Sequence, residues 1–115
     1  MNSLRNSVKL IGHLGADPEI KKMESGKTLA IINIATSESY KNTKGDKVTE
    51  TQWHRIVAWG YTAEYVEKYL RKGNHVALDG KLTHRSYEDK DGAKRYTTEV
   101  VAKEFVLLTK PDLPF

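Results

Sequence analysis

An all-β fold, a five-stranded barrel with one helix between the third and fourth strands, is what three features of the sequence predict. Apolar residues alternate with a period of two in several separated runs, one stretch alone carries helical periodicity, and Gly- and Asp-containing turns punctuate the rest. At 115 residues, with 38% hydrophobic and 30% charged residues, the chain has the size and composition of one globular domain with its own core. No apolar run approaches the roughly 20 residues of a membrane span. The opening MNSLR has neither the apolar stretch of a secretory signal nor an Arg-rich transit pattern, so a cytoplasmic location is expected. The absence of cysteine excludes disulfides, cysteine–zinc sites and thiol catalysis. A net charge of +4 and a pI near 9.2 suit a polyanionic partner such as nucleic acid, although many proteins are as basic.

The elements follow in order. In RNSVKLIGHL, Val8, Leu10 and Leu14 share one phase and Lys9 and His13 the other, which predicts a first strand. After a turn at Gly15 to Pro18 come a short EIKKM segment and Ser25–Gly26. The Ile-rich run from Leu29 to Ala35 then predicts a second strand covered on both faces. The polar stretch ESYKNTKGDKVTET is expected as a long, mobile hairpin loop, basic at a tip around Lys44, Gly45 and Asp46. QWHRIVAW supplies the third strand and Gly60 ends it. In YTAEYVEKYLRKG, Ala63, Val66 and Leu70 form a helical stripe. Thr62 is the expected N-cap, Glu64/Lys68 and Glu67/Arg71 are i,i+4 pairs, and Gly73 is the C-terminal stop. HVALDGKLTHRSY alternates Val76, Leu78 and Leu82 against Ala77, Asp79, Lys81, Thr83, Arg85 and Tyr87. The turn EDKDGAK leads to a fifth strand, RYTTEVVAKEFVLL. This order matches the OB-fold, a Greek-key barrel that binds oligonucleotides across its second and third strands. Element order leaves the function open.

Both tryptophans of the chain lie in TQWHRIVAWG. On a strand, Trp53, Arg55, Val57 and Trp59 project one way and His54, Ile56 and Ala58 the other. Tryptophans in the core would carry Arg55 in with them, where an unpaired charge is very costly. Ile56 and Ala58 therefore line the barrel, and the indoles and guanidinium face outward, a surface suited to stacking bases and meeting phosphate. Lys81, Arg85 and Tyr87 repeat the pattern on the fourth strand. Packing of the tryptophans against another subunit or beneath the long loop, with Arg55 snorkelling, is the competing reading.

The segments LIGHLGADPEI, NIATSESY, TQWHRIVAWG, YLRKGNHVALDGKL and RYTTEVV together resemble the bacterial single-stranded DNA-binding protein (SSB) family, from about Leu4 to about Leu108. The resemblance implies a homotetramer of OB-folds that binds single-stranded DNA without sequence preference. Such an assembly protects the DNA and organises it for replication, recombination and repair. By motif it places base-stacking aromatics at Tyr40, Trp53, Trp59 and Tyr87. The family more often has Trp at the first and last of these positions and Phe at the third. Phosphate or base contacts fall on Lys21, Lys41, Arg55, Arg71, Lys72 and Arg85, and His54 falls at a subunit interface. Where relatives often carry a cation this chain has Ser7, Tyr61, Thr83 and Ser86, for which Lys22, Lys44, Lys47 and Lys81 are candidate substitutes. The resemblance divides the chain into a DNA-binding domain over 1–109 and a tail over 110–115. There Asp112, Leu113, Pro114 and Phe115 are similar to the family's partner-docking tip, without its usual linker and with one carboxylate side chain.

Neither a metal nor a cofactor is expected. His13, His54, His75 and His84 lack close ligand spacing, and a calcium loop begun at Asp89 would put Val100 where its twelfth-position Glu belongs. Glu99 and Glu104 occupy opposite strand phases and so do not form a catalytic pair. No nucleotide fingerprint or Ser/His/Asp arrangement is present. Two rivals remain at this point. An OB-fold nuclease would destroy DNA in a metal-dependent way, and a primosome-type interaction module would tolerate loss of Trp53 and Trp59.

Overall fold

The computed structural model describes residues 4–109. Its elements are β1 (Val8–Leu14), β2 (Glu19–Lys22), β3 (Thr28–Lys41), β4 (Lys47–Trp59), α1 (Tyr61–Tyr69), β5 (His75–Glu88) and β6 (Lys94–Leu107). Hydrogen bonding runs β1–β5–β6–β4–β3 and returns from β3 to β1, closing the expected five-stranded barrel. Every pairing is antiparallel except the short parallel contact of β4 with β6. β2 is a sixth, four-residue strand formed by EIKK, laid along the first residues of β3. Counting barrel strands alone, α1 lies between the third and fourth.

β1 closes the barrel by pairing with β5 along Val8 to His13 and with β3 at His13↔Ala35 and Leu14↔Ile34. The crossing is tight: a Cβ on Gly12 would run into the Ala35 carbonyl oxygen. Inside sit Ile32 and Ile34 from β3, Ile56 and Ala58 from β4, Val76 and Leu78 from β5, and Val100 and Ala102 from β6. Ala63, Val66 and Leu70, the expected helical stripe, are fully buried against them. Burial of each Val, Leu or Ile side chain contributes about 1.5–3 kcal/mol. In β6 the register skips Lys103, a bulge that flips the phase so that Phe105 also turns inward.

Several expectations are corrected. The polar stretch is not a long loop: Thr36 to Lys41 pair residue by residue with Gln52 to Lys47, and only 42–46 turn. Beyond the barrel there is no core to signal a strand. The arm is held instead by cross-strand hydroxyl contacts, Ser37–Thr51 at 3.2 Å and Ser39–Thr49 at 3.0 Å. The Asn42 side chain accepts hydrogen bonds from the Lys44 and Asp46 amides across the turn. The run Leu29 to Ala35 is covered on one face only, and Leu29 and Ile31 stay half-exposed on the other. Gly60, with φ 62°, is the N-cap residue of α1 rather than Thr62, whose hydroxyl donates to the Lys103 carbonyl at 3.3 Å. The helix ends at Tyr69. Glu67 does not pair with Arg71; its carboxylate takes Lys22, while Arg71 donates to the Glu67 and Leu70 carbonyls and caps the last turn. Glu64/Lys68 is not among the ion pairs of the described residues. No described helix is long and apolar enough to cross a membrane.

Replacing Gly12 with Ala is expected to destabilise the protein by about 1–3 kcal/mol, the usual range for overpacking. Urea denaturation at fixed protein concentration reads this as a lower midpoint, and an unchanged midpoint would mean that the β1–β3 crossing is not a tight closure.

Candidate nucleic-acid interface

Strand pleating sorts the residues of β4. Ile56 and Ala58 are fully buried inside, while Trp53 is 63% exposed and Trp59 44% exposed on the outside. Val57 shares the outer face but is buried and forms part of its floor. Trp53 lies over Gly15, where a Cβ would collide with the indole's six-membered ring. The missing side chain is what lets the indole approach the β1–β2 turn so closely.

The outer faces of β2 to β6 form a groove. Its apolar floor comprises Leu29, Ile31, Val57 and Val101; Lys21, Met23 and Trp59 stand along it, and Arg55, Arg85 and Glu99 cross it. It continues past Arg55 and Arg85 to Tyr87 and Thr97 on the β5–β6 hairpin. Lys81 shares this face, in register with Val101.

Glu99 is the residue that sequence reasoning missed. Its side chain is only 6% exposed, and its two oxygens are divided between two arginines. Arg55 Nε donates to Oε2 at 2.8 Å, while Arg85 donates from Nε to Oε1 at 2.9 Å and from Nη2 to Oε2 at 3.2 Å. Burial pushes the Glu99 carboxyl towards its neutral form. The hydrogen bonds and charges of the two arginines outweigh this and hold its pKa below the ordinary value. The bulge at Lys103 overturns the expected opposite phases, since Glu104 points outward like Glu99, but it lies by Lys9 and Val106 and does not line the groove.

The other expected contacts are spread more widely. Lys41 and Lys47 are cross-strand partners at the end of the β3–β4 arm, on the same pleat face as Trp53, and Lys44 lies in the turn between them. Tyr40 is on the opposite pleat face, its hydroxyl donating to Glu50 at 3.3 Å. Lys22 points away from Lys21, to Glu67 at 3.0 Å and Thr28 at 3.4 Å. Arg71 is occupied in capping α1 and the Lys72 amide donates to Asp17; neither residue is among those lining the groove. His54 is half-buried, with Nε2 2.9 Å from the Thr36 hydroxyl. Asp112, Leu113, Pro114 and Phe115 lie outside the described residues. Among the described residues no cluster of three or more His, Asp or Glu could hold a metal ion.

A closed five-stranded barrel with a cationic, aromatic groove across its outer sheet defines the class as an OB-fold of the oligonucleotide-binding type. The family model described as "Single-strand binding protein family" matches residues 5–108. A Xylella fastidiosa protein named Single-stranded DNA-binding protein 1 is 43% identical over 106 residues, covering 91% of this chain and 78% of the relative. A Chlorobaculum tepidum protein of the same name is 44% identical over 108 residues, covering 93% and 67%. Among solved structures, a Plasmodium falciparum SSB complex with ssDNA superposes with a TM-score of 0.84 at 29% identity, covering 90% of this chain and 95% of that one. A deletion mutant of the single-stranded DNA-binding protein from Thermus aquaticus gives 0.79 at 29% identity, covering 90% and 50%. This chain belongs to the single-strand binding protein family.

Because the Glu99 pKa is depressed in the folded state, its ionisation stabilises the fold above the ordinary carboxylate value of 4.5. That contribution is lost as pH falls through the lower folded value. The stability gap between wild type and Glu99→Gln, measured by urea denaturation, should therefore be widest near neutral pH and shrink in acid. A gap that stays constant with pH would show that the carboxylate's charge contributes nothing.

Proposed function

We propose that this chain binds single-stranded DNA without sequence preference, protecting it and organising it for replication, recombination and repair. The observation that carries the reading is the outward Trp53, Arg55 and Trp59 on β4, beside a groove open to solvent. Family membership and a close structural neighbour described as a complex with ssDNA support it. Unpaired bases stack on Trp53, Trp59 and Tyr87, each contact contributing about 1–3 kcal/mol. Lys21, Arg55 and Arg85 neutralise phosphates and release counterions. Lys41 and Lys47 face each other with like charge, an arrangement that costs energy in the free protein and that a polyanion relieves. Lys44 and Lys81 extend the positive path. Tyr40 contributes by stacking from the far side of the β3–β4 arm, and Lys22, Arg71 and Lys72 contribute charge outside the groove. Duplex DNA binds poorly because its bases are not free to stack.

Assembly as a homotetramer is part of the proposal. Its support is an apolar surface on β1, β5 and β6, where Ile11 is 62% and Val106 49% exposed around a cleft shared with Leu10 and Ala77. His54 is proposed at a subunit contact, and the segment Asp112 to Phe115 as a docking tip for DNA-processing enzymes.

Titration with oligo-dT should quench tryptophan emission, with affinity falling steeply between about 0.05 and 0.2 M salt. Trp53→Ala or Trp59→Ala should each weaken binding by about 5- to 150-fold. Absence of quenching, or equal affinity for duplex, would overturn the reading. Light scattering should give about four times the 13.1 kDa chain mass, and Ile11→Glu should lower it. A wild-type monomer would remove the tetramer alone.

A further inference from the structure

We infer that Glu99 is a positioning residue for the nucleic-acid groove, a buried carboxylate that holds Arg55 and Arg85 side by side with their remaining donors free for the strand. The inference rests on the single-strand reading and adds to it the group that orders its two central cations.

Three observations lead there. Glu99 is the one acid among the described residues lining the groove, and it is nearly inaccessible, whereas the arginine side chains it binds are 40% and 60% exposed. The anchoring uses the inner edge of each guanidinium. Arg55 commits only Nε, and Arg85 commits Nε and Nη2, which leaves three terminal amino groups with no hydrogen-bond partner among the described residues. Finally, packing alone does not call for an acid at this position. The next residue on the same face is Val101, and a buried carboxylate carries a desolvation cost that an aliphatic side chain avoids.

The arrangement trades charge for order. Glu99 reduces the cluster's formal charge from +2 to +1, which weakens its attraction for phosphate. In return, each planar guanidinium is fixed before the strand arrives, so less side-chain freedom is lost on binding. The two effects have opposite signs on removal of the carboxylate, and this makes them separable.

The experiment measures oligo-dT affinity of the full chain at fixed salt, with thermal unfolding to confirm that each variant folds. Wild type is measured first; if it does not bind, the single-strand reading itself has failed. If wild type binds, Glu99→Gln should weaken binding by about tenfold, a usual coupling between neighbouring groups, even though the groove gains positive charge. In an Arg55→Gln/Arg85→Gln background the same substitution should cause no further loss, because Glu99 acts through those arginines. Binding by Glu99→Gln as tight as wild type or tighter, or an equal loss in the arginine-free background, overturns the inference. Should Glu99→Gln not fold, Glu99→Asp takes its place. It keeps the charge but withdraws the carboxylate by one methylene, so weaker binding supports positioning and undiminished binding overturns it.

Discussion

Closure of the barrel by β1 is the constraint on which the rest depends. β1 pairs with β5 along most of its length and meets β3 at only two positions, with the backbones brought together at Gly12. Once the sheet is closed, each strand has an inside and an outside, and the narrow interior admits only one pleat phase. Ile32 and Ile34 commit β3, and Ile56 and Ala58 commit β4. A slip of one residue would bring Trp53, Arg55 and Trp59 into a core with no partner for the guanidinium. The same closure that buries the aliphatic set therefore exposes the aromatic and cationic set.

The outer face is not simply what the core left over. Leu29, Ile31, Val57 and Val101 give it an apolar floor, and Glu99 supplies a buried charge on which two arginines converge. A lone carboxylate at that depth would be expelled or protonated; with two guanidiniums it stays ionised. The hairpin arms extend this face beyond the barrel without any core beneath them. Both have side-chain-capped turns; hydroxyl pairs link the β3–β4 ladder, and an Arg95–Asp89 ion pair at 2.9 Å braces the β5–β6 end.

What could be read from the sequence followed from contrast between phases. β4 was legible because its two phases differ in size and charge, and α1 because Ala63, Val66 and Leu70 repeat at helical spacing. The β3–β4 arm was not, since Ser, Thr, Lys and Glu alternate there with no apolar phase to mark a strand, whereas the β5–β6 hairpin was read with nearly its observed bounds. β2 has only Ile20 as an inward signal, and the bulge at Lys103 leaves no compositional trace. Glu99 was hidden for a different reason. Its partners lie 44 and 14 residues away, and they meet only because β6 is flanked by β4 and β5. The resemblance groups Tyr40 with Trp53, and the motif carries no sign that pleating puts the two on opposite faces of the arm.

Position beside the groove, not exposure, decides which aromatics meet the strand, with Tyr40 on the β3–β4 arm proposed as the one contact made from the other pleat face. Tyr61 is 91%, Tyr96 73% and Tyr69 56% exposed, all off the groove, so they are internal controls against Trp53, Trp59 and Tyr87. Ultraviolet crosslinking to a 5-iodouracil-containing single strand, mapped by peptide mass spectrometry, compares the two sets directly. Adducts on Trp53, Trp59 and Tyr87, with Tyr61, Tyr69 and Tyr96 unmodified, are the predicted result. Adducts that track exposure, heaviest on Tyr61 and Tyr96, would contradict the account.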